Sequence, residues 1–387
     1  MSLEQGKIVF KGLDSLRFFG AISVVIGHIE LSRKDFGFEN VMHLPYFHYT
    51  SGHIGVILFF VLSGFLITYL LLEEKQRTAT IAFKKFFIRR ALRIWPIYYL
   101  MVFFAFFGLP ALLPDYPGRA LAFGENSSAA LMLFLLLIPN FTVFGTGAVP
   151  GAYHLGTIGV EEQFYWIWPL LVRWFRNAFL FLVLVFIGIT LLPKTIDFVK
   201  IRVTQPGDEW RNLLDKTVEF LAYFKINCMA IGGMWAFALH KGKQQILKLA
   251  MHPVVEVVAW IAGFGSWIAG VHFSSFTDEY YGLIFGVIIL NAAANSKPIL
   301  NLDIPFLRYL GKISYGIYVF HWVLIIITLY FIRTYSNLAG SGWEIQSLVI
   351  YPIVLGLTWL ISHLSYYYYE QYFLRLKDKF AIVKSGS

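Results

Sequence analysis

A guanidinium and an imidazole share one helix face near the start of the chain. In LDSLRFFGAISVVIGHIE, residues 13–30, Arg17 and His28 stand eleven positions apart. At 100° per residue that is three turns plus about 20°, with an axial rise of about 16.5 Å. An imidazole so placed suits proton removal near pH 7; it can equally serve as hydrogen-bonded glue between helices. A second set lies in KKFFIRRALRIWP, residues 84–96. On a helical wheel Phe83, Phe86, Phe87 and Ile94 share a face, Arg90 falls among them and Arg93 sits one step around, while Lys85 and Arg89 point elsewhere. Arginines turned toward the protein suit a phosphate-rich ligand, which the guanidinium fork grips bidentately. The plainer alternative is a solvated basic helix, and Pro96 is expected to open the next span.

Carboxylates and further histidines follow. In HLGTIGVEEQFYWIWPLL, residues 154–171, Glu161 and Glu162 point about 100° apart. Glu161 can orient a histidine or bind an acceptor hydroxyl. Glu162 is expected to be an acidic helix start stabilised by the dipole, with a pocket role as the alternative. His154 can border an acceptor pocket near Glu161. In LGKISYGIYVFHWVLI, residues 310–325, His321 lies one turn beyond Tyr318 and two beyond Ser314. That polar stripe either lines a cavity or locks helices together. His43, His48 and His53 cluster early, but their spacing fits no metal site. No metal is expected.

These groups must be carried by membrane helices. Of 387 residues 58% are hydrophobic and 14% charged, with mean hydropathy +0.64, which excludes an ordinary soluble enzyme and a disordered chain. The single cysteine, Cys228, excludes an internal disulfide. Runs long enough to cross a bilayer fall at 13–32, 53–72, 96–113, 159–175, 177–193, 221–240, 253–272, 279–295, 313–333 and 346–368. An eleventh run, 128–144, contains Pro139 and Asn140. If it does not cross, about two thirds of the 32 basic residues fall on the cytoplasmic side; if it crosses, the bias collapses. The expected fold is therefore an all-α integral membrane domain over 1–387. It has about ten transmembrane helices, cytoplasmic N- and C-termini, and an outer re-entrant or interfacial segment at 128–144. The segment 194–220 is expected as a polar loop, and no cleavable leader is expected, since Asp14 and Arg17 interrupt the first apolar run. The basic residues flank spans rather than line one groove, so nucleic acid is not an expected partner. Nucleophile-elbow, Walker, dinucleotide and zincin motifs are absent from the sequence.

Taken together the segments resemble the acyltransferase family 3 membrane proteins, bacterial O-acyltransferases of surface glycans. The likeness rests on LDSLRFFGAISVVIGH, GVILFFVLSGFLIT (55–68), RRALRIWPIYY (89–99), TIGVEEQFYWIWPLL and LGKISYGIYVFHW, in that order along nearly the whole chain. The resemblance implies a bacterial cytoplasmic (inner) membrane, a cytosolic acetyl-CoA or other acyl-CoA donor, and a carbohydrate or glycolipid acceptor at the outer face. It carries over His28 as catalytic and Arg90 and Arg93 as binders of the donor phosphates. Arg17 and Glu161 carry over as partners along the reaction path. Thr157 stands where the family has Ser, and Gly156 where it has Trp. No SGNH hydrolase-like domain is expected within 1–387. The rival class is a multi-pass secondary transporter or exporter of a glycan or small metabolite, which also needs intramembrane His, Glu and Arg.

Overall fold

The computed structural model describes residues 2–4, 7–44, 52–113, 115, 126–147, 149–174, 178–205, 207–273 and 276–386; His48 lies outside them. Within these the chain is a helical bundle with one small sheet. Helix α1 (Leu13–Arg33) starts after Gly12, whose φ of 80° ends the preceding strand turn. It is followed by α2 (Gly52–Thr78), α3 (Phe83–Leu112) and the short α4 (Ser127–Leu135). Next come α5 (Gly156–Trp174), α6 (Ala178–Val203), α7 (Glu209–Tyr223) and α8 (Ile226–His240). The second half holds α9 (Gln244–Ala250), α10 (Pro253–Ile268), α11 (Thr277–Ala294) and α12 (Pro305–Lys312). Two long helices close the fold, α13 (Ser314–Tyr335) and α14 (Trp343–Asp378).

Seven helical stretches are long and apolar enough to cross a membrane: α1, α2, α3, most of α6, Glu209–His240, α13 and α14. The bent pair α9–α10, with 55° between its parts, makes an eighth if it is one span. The ten expected spans each fall on a helix. Those on α5 and α11 are outside the apolar set, because Glu161 and Glu162 in one and Asp278 and Glu279 in the other dilute their hydropathy. Most of these helices are apolar around their whole circumference, as expected where the solvent is lipid.

Three expectations change. The basic segment 84–96 and the span 96–113 are one continuous helix, with Pro96 inside it rather than at its start. A proline is tolerated within a membrane helix because neighbours satisfy the freed backbone groups. Around it the Tyr315 hydroxyl donates to the Ile94 carbonyl at 2.8 Å, and Tyr369 to that of Pro96 at 3.3 Å, which ties this stretch of α3 to α13 and α14. The stretch 194–220 is not a loop: α6 runs on to Val203 and the charged, amphipathic α7 follows it. Arg89 does not point away. It donates to Glu74 at 3.5 Å and to the Phe380 carbonyl at 2.9 Å.

The run 128–144 breaks into α4 and a 3₁₀ turn at Pro139–Phe144. Leu137, with φ 61°, ends the helix. Nine residues of helix reach about 14 Å, well short of a bilayer core. The turn folds back onto α5, where Gln163 donates to Asn140 Oδ1 at 2.8 Å.

Close glycine contacts knit the core. A Cβ on Gly64 would overlap the Met229 carbonyl, and one on Gly232 the Val61 carbonyl, so α2 and α8 touch backbone to backbone. Gly232→Val is expected to lower stability by about 1–3 kcal/mol or more, since backbone cannot swing aside. A lower melting temperature in detergent than wild type checks this; an unchanged one contradicts the contact. At the sheet, strand β1 (Ser2–Glu4) pairs antiparallel with β2 (Lys7–Val9), which pairs parallel with β3 (Lys384–Gly386). Both ends of the described chain therefore meet at one end of the bundle.

Candidate active site

Two cavities stack along the bundle axis. The inner one, about 120 Å³, is lined by Arg17 of α1, Ser63 of α2, Arg90 and Arg93 of α3, Glu161 and Tyr165 of α5, and Ser314 of α13. The outer one, about 220 Å³, is lined by His28, Gly52, Asn140, His154, Gly156 and Trp322 among others. Val56, Phe60, Thr157 and Tyr318 line both. The eleven-residue spacing on α1 explains the division: one helix face delivers Arg17 to the lower chamber and His28 to the upper. Below the inner cavity a small mouth is lined by Arg89, Arg90, Arg93 and Lys377, with Glu74 and Asp378 beside them. Arg90 and Arg93 belong to both the mouth and the inner cavity.

The histidines form a directed chain. His321 is fully buried, and its Nδ1 lies 2.5 Å from the Tyr318 carbonyl. A carbonyl only accepts, so that Nδ1 carries a proton and Nε2 of the neutral ring is a lone pair. His28 Nδ1 lies 2.7 Å from His321 Nε2 and so donates to it. His28 Nε2 then carries the lone pair and has no hydrogen-bond partner among the described residues. It faces Gly52 on the wall of the outer cavity, 3.8 Å from where a Cβ would stand there. Trp322 packs on the other side of the ring, 4.0 Å between centroids. His154 repeats the pattern: Nε2 donates to the Val319 carbonyl at 3.0 Å, and its buried Nδ1 has no hydrogen-bond partner among the described residues. Two bare imidazole nitrogens thus sit at the outer cavity, on rings 6.4 Å apart.

The carboxylates are placed differently from each other. Glu161 Oε1 accepts from Ser63 at 2.8 Å and Oε2 from Tyr165 at 3.0 Å. It therefore holds the inner cavity, and the partner that fixes the His28 tautomer is His321. Glu162 lines neither cavity. It is buried against α3, where Trp95 Nε1 donates to it at 3.2 Å. Its expected pocket role is not supported, because its 100° offset from Glu161 turns it toward the neighbouring helix. His321 likewise lies behind His28 rather than on a wall. Ser314 lines the inner cavity, its Oγ donating to the Gly311 carbonyl at 2.7 Å.

Among the site arginines, Arg90 lacks full satisfaction. Arg90 sits 5.4 Å from the rings of both Phe86 and Tyr165, and its buried Nε has no hydrogen-bond partner among the described residues. Arg17 is paired with Asp14 one turn away. Such guanidinium groups around a cavity can take an anion. Between the chambers, Thr157 Oγ1 and Tyr318 Oη are 2.5 Å apart, and both hydroxyls reach the His154 carbonyl at 2.9 Å. At Gly156 a Cβ would meet only the Asn140 backbone, at 3.9 Å or more, so the glycine leaves the outer cavity open.

Reading the sequence did not find Ser63, Tyr165, Trp322 or Asn140 as site residues. Asn140 carried a signal, a buried amide in an otherwise apolar run. The others look like ordinary membrane-helix residues until the helices pack. His53 leaves the early histidine group to bond Asp278 at 2.7 Å.

A family model described as an acyltransferase domain matches residues 10–367. The peptidoglycan O-acetyltransferase OatA of Listeria monocytogenes is 28% identical over 95% of this chain and 57% of its own length. The putative peptidoglycan O-acetyltransferase YrhL of Bacillus subtilis is 27% identical over 93% of this chain and 54% of its own. The O-acetyltransferase OatA of Staphylococcus aureus is 26% identical over 93% and 56%. The chain thus spans little more than half the length of these relatives. No solved structure matches. With its ordered motifs and a family match over nearly its full length, the chain belongs to the acyltransferase 3 family.

Proposed function

We propose that the protein is an O-acetyltransferase that takes an acetyl group from cytosolic acetyl-CoA and delivers it to a glycan hydroxyl at the outer face of a bacterial cytoplasmic membrane. The observation that carries this reading is the stack of cavities, with Arg17, Arg90 and Arg93 at one end, Arg90 Nε unpartnered among the described residues, and the lone pair of His28 Nε2 at the other. The donor's phosphates bind Arg90 and Arg93 at the mouth, with Arg17 further up. The pantetheine arm runs through the inner cavity and passes the Thr157–Tyr318 pair to bring the thioester beside His28. Glu161 positions the lower chamber's groups through Ser63 and Tyr165. His154 Nδ1 accepts from the incoming acceptor and holds it. His28 Nε2 removes the proton from the attacking hydroxyl as its oxygen bonds to the acyl carbon. The carbon–sulfur bond then breaks, and the proton passes to the departing thiolate.

Charge and parity support this orientation. The terminal strands pair, which supports placing both ends on one side with an even number of crossings. Ten crossings with both ends cytoplasmic meet this condition and the positive-inside bias. The relatives' named activities support glycan acetylation.

The test is CoA-dependent stabilisation of the purified protein. Free CoA at about 100 times its Kd is expected to add about 2.7 kcal/mol of stability, seen as a rise in melting temperature. No shift at any CoA concentration would favour an exporter, which has no use for the donor.

A further inference from the structure

A third cavity, about 610 Å³, lies beside the outer one, between α6, α7, α8 and α11. His53, Tyr223 and Lys225 line both, so the two adjoin. Their shared wall is held by Asp278, which accepts from His53 at 2.7 Å and pairs with Lys225.

This cleft contains unpaired donors. Thr190 and Lys194 lie one turn apart on α6 and both face into it. Thr190 is nine-tenths buried; its Oγ1 and the Lys194 Nζ are both shielded from solvent without a hydrogen-bond partner among the described residues. The Lys194 ammonium rests 3.5 Å from the centre of the Phe276 ring. Buried donors left unmade are costly, so an oxygen-rich ligand is the natural complement. Opposite them stand the Glu219 and Glu279 carboxylates and the Tyr223 ring. Carboxylates facing the cleft disfavour a phosphate headgroup. Donors, acceptors and a flat ring together suit a neutral polyol, whose hydroxyls both give and accept and whose C–H face lies on an aromatic.

We propose that this cleft is an extended acceptor subsite. It holds the sugar next to the one being acetylated, with Thr190 and Lys194 donating to its oxygens. The proposal rests on the acetyl-transfer reading above, and it makes the preferred acceptor an oligosaccharide rather than a single sugar.

The test uses the purified full chain in lipid nanodiscs with labelled acetyl-CoA and β-1,4-linked N-acetylglucosamine of one, two and four units as acceptors. Wild type is expected to show kcat/KM at least tenfold higher for the tetramer than for the monomer. Thr190→Val and Lys194→Met should each reduce that ratio, and together bring it near one. Retained CoA stabilisation establishes that the variants are folded, and the wild-type length dependence stands without any variant. Equal kcat/KM at all lengths overturns the subsite, as does a length preference that survives both substitutions, the result expected if lipid fills the cleft. Transfer to none of the saccharides, with CoA binding intact, overturns the saccharide acceptor and the subsite with it.

Discussion

His28→Ala is expected to lower acetyl transfer by about 10²–10⁴-fold while the protein still inserts, folds and binds CoA. On the proposed mechanism Nε2 is the base, so its loss removes the proton acceptor without touching the arginines at the other end of the cavities. The measurement is labelled acetyl transfer in membranes, beside CoA stabilisation of the purified variant. Full activity would remove His28 from the mechanism. The same chain predicts a graded effect at position 321. His321→Ala leaves His28 Nδ1 without an acceptor and frees the ring to turn or switch tautomer, so kcat falls. His321→Gln offers a side-chain oxygen near the old Nε2 and is expected to recover part of the loss. Equal damage from both substitutions would reduce His321 to a packing residue.

Arg93→Ala is expected to raise the donor KM about 10–150-fold with a smaller change in kcat. One charge-assisted hydrogen bond to phosphate is worth about 1.5–3 kcal/mol, which converts to that range. Arg93 lines both the mouth and the inner cavity, so on the proposed function it would meet the donor's phosphates in either place. Arg90→Lys is expected to be nearly as damaging as Arg90→Ala. A lysine neither forks onto phosphate nor stacks between Phe86 and Tyr165 as the planar group does. Titration of CoA against melting temperature separates the cases. An unchanged donor KM in Arg93→Ala would place the phosphates elsewhere.

The part of the site written along single helices was legible. Arg17 and His28 share a face of α1, and Arg90 and Arg93 a side of α3, because 3.6-residue periodicity acts within one element. Most helix positions are legible for a different reason, apolar runs of bilayer length, whereas the polar stretch 194–220 hides the helix it forms. Pairings between helices were not. His28 and His321 are 293 residues apart, and nothing local in either segment says that their nitrogens meet. The sequence offers Glu161 either a histidine to orient or an acceptor hydroxyl to bind; packing gives it Ser63 and Tyr165. Helices apolar all round carry almost no signal for which face is inward, so Trp322 and Thr190 look lipid-facing in sequence. The partners of Arg89, Glu74 on α2 and the Phe380 carbonyl, are invisible to a helical wheel of α3.

The Thr157–Tyr318 pair has a consequence for the cell's energy supply. On the proposed orientation the cavities run from the cytosolic mouth almost to the outer face. A path wet from end to end would pass protons down the membrane potential, dissipating about 2.3 kcal/mol per charge for every 100 mV. Val56, Phe60 and the two bonded hydroxyls stand across that path. The acyl group and its thin carrier arm can slip past them, while a continuous column of water is interrupted. On the proposed function, acetyl groups would leave the cell this way without short-circuiting the gradient that drives its other membrane machines.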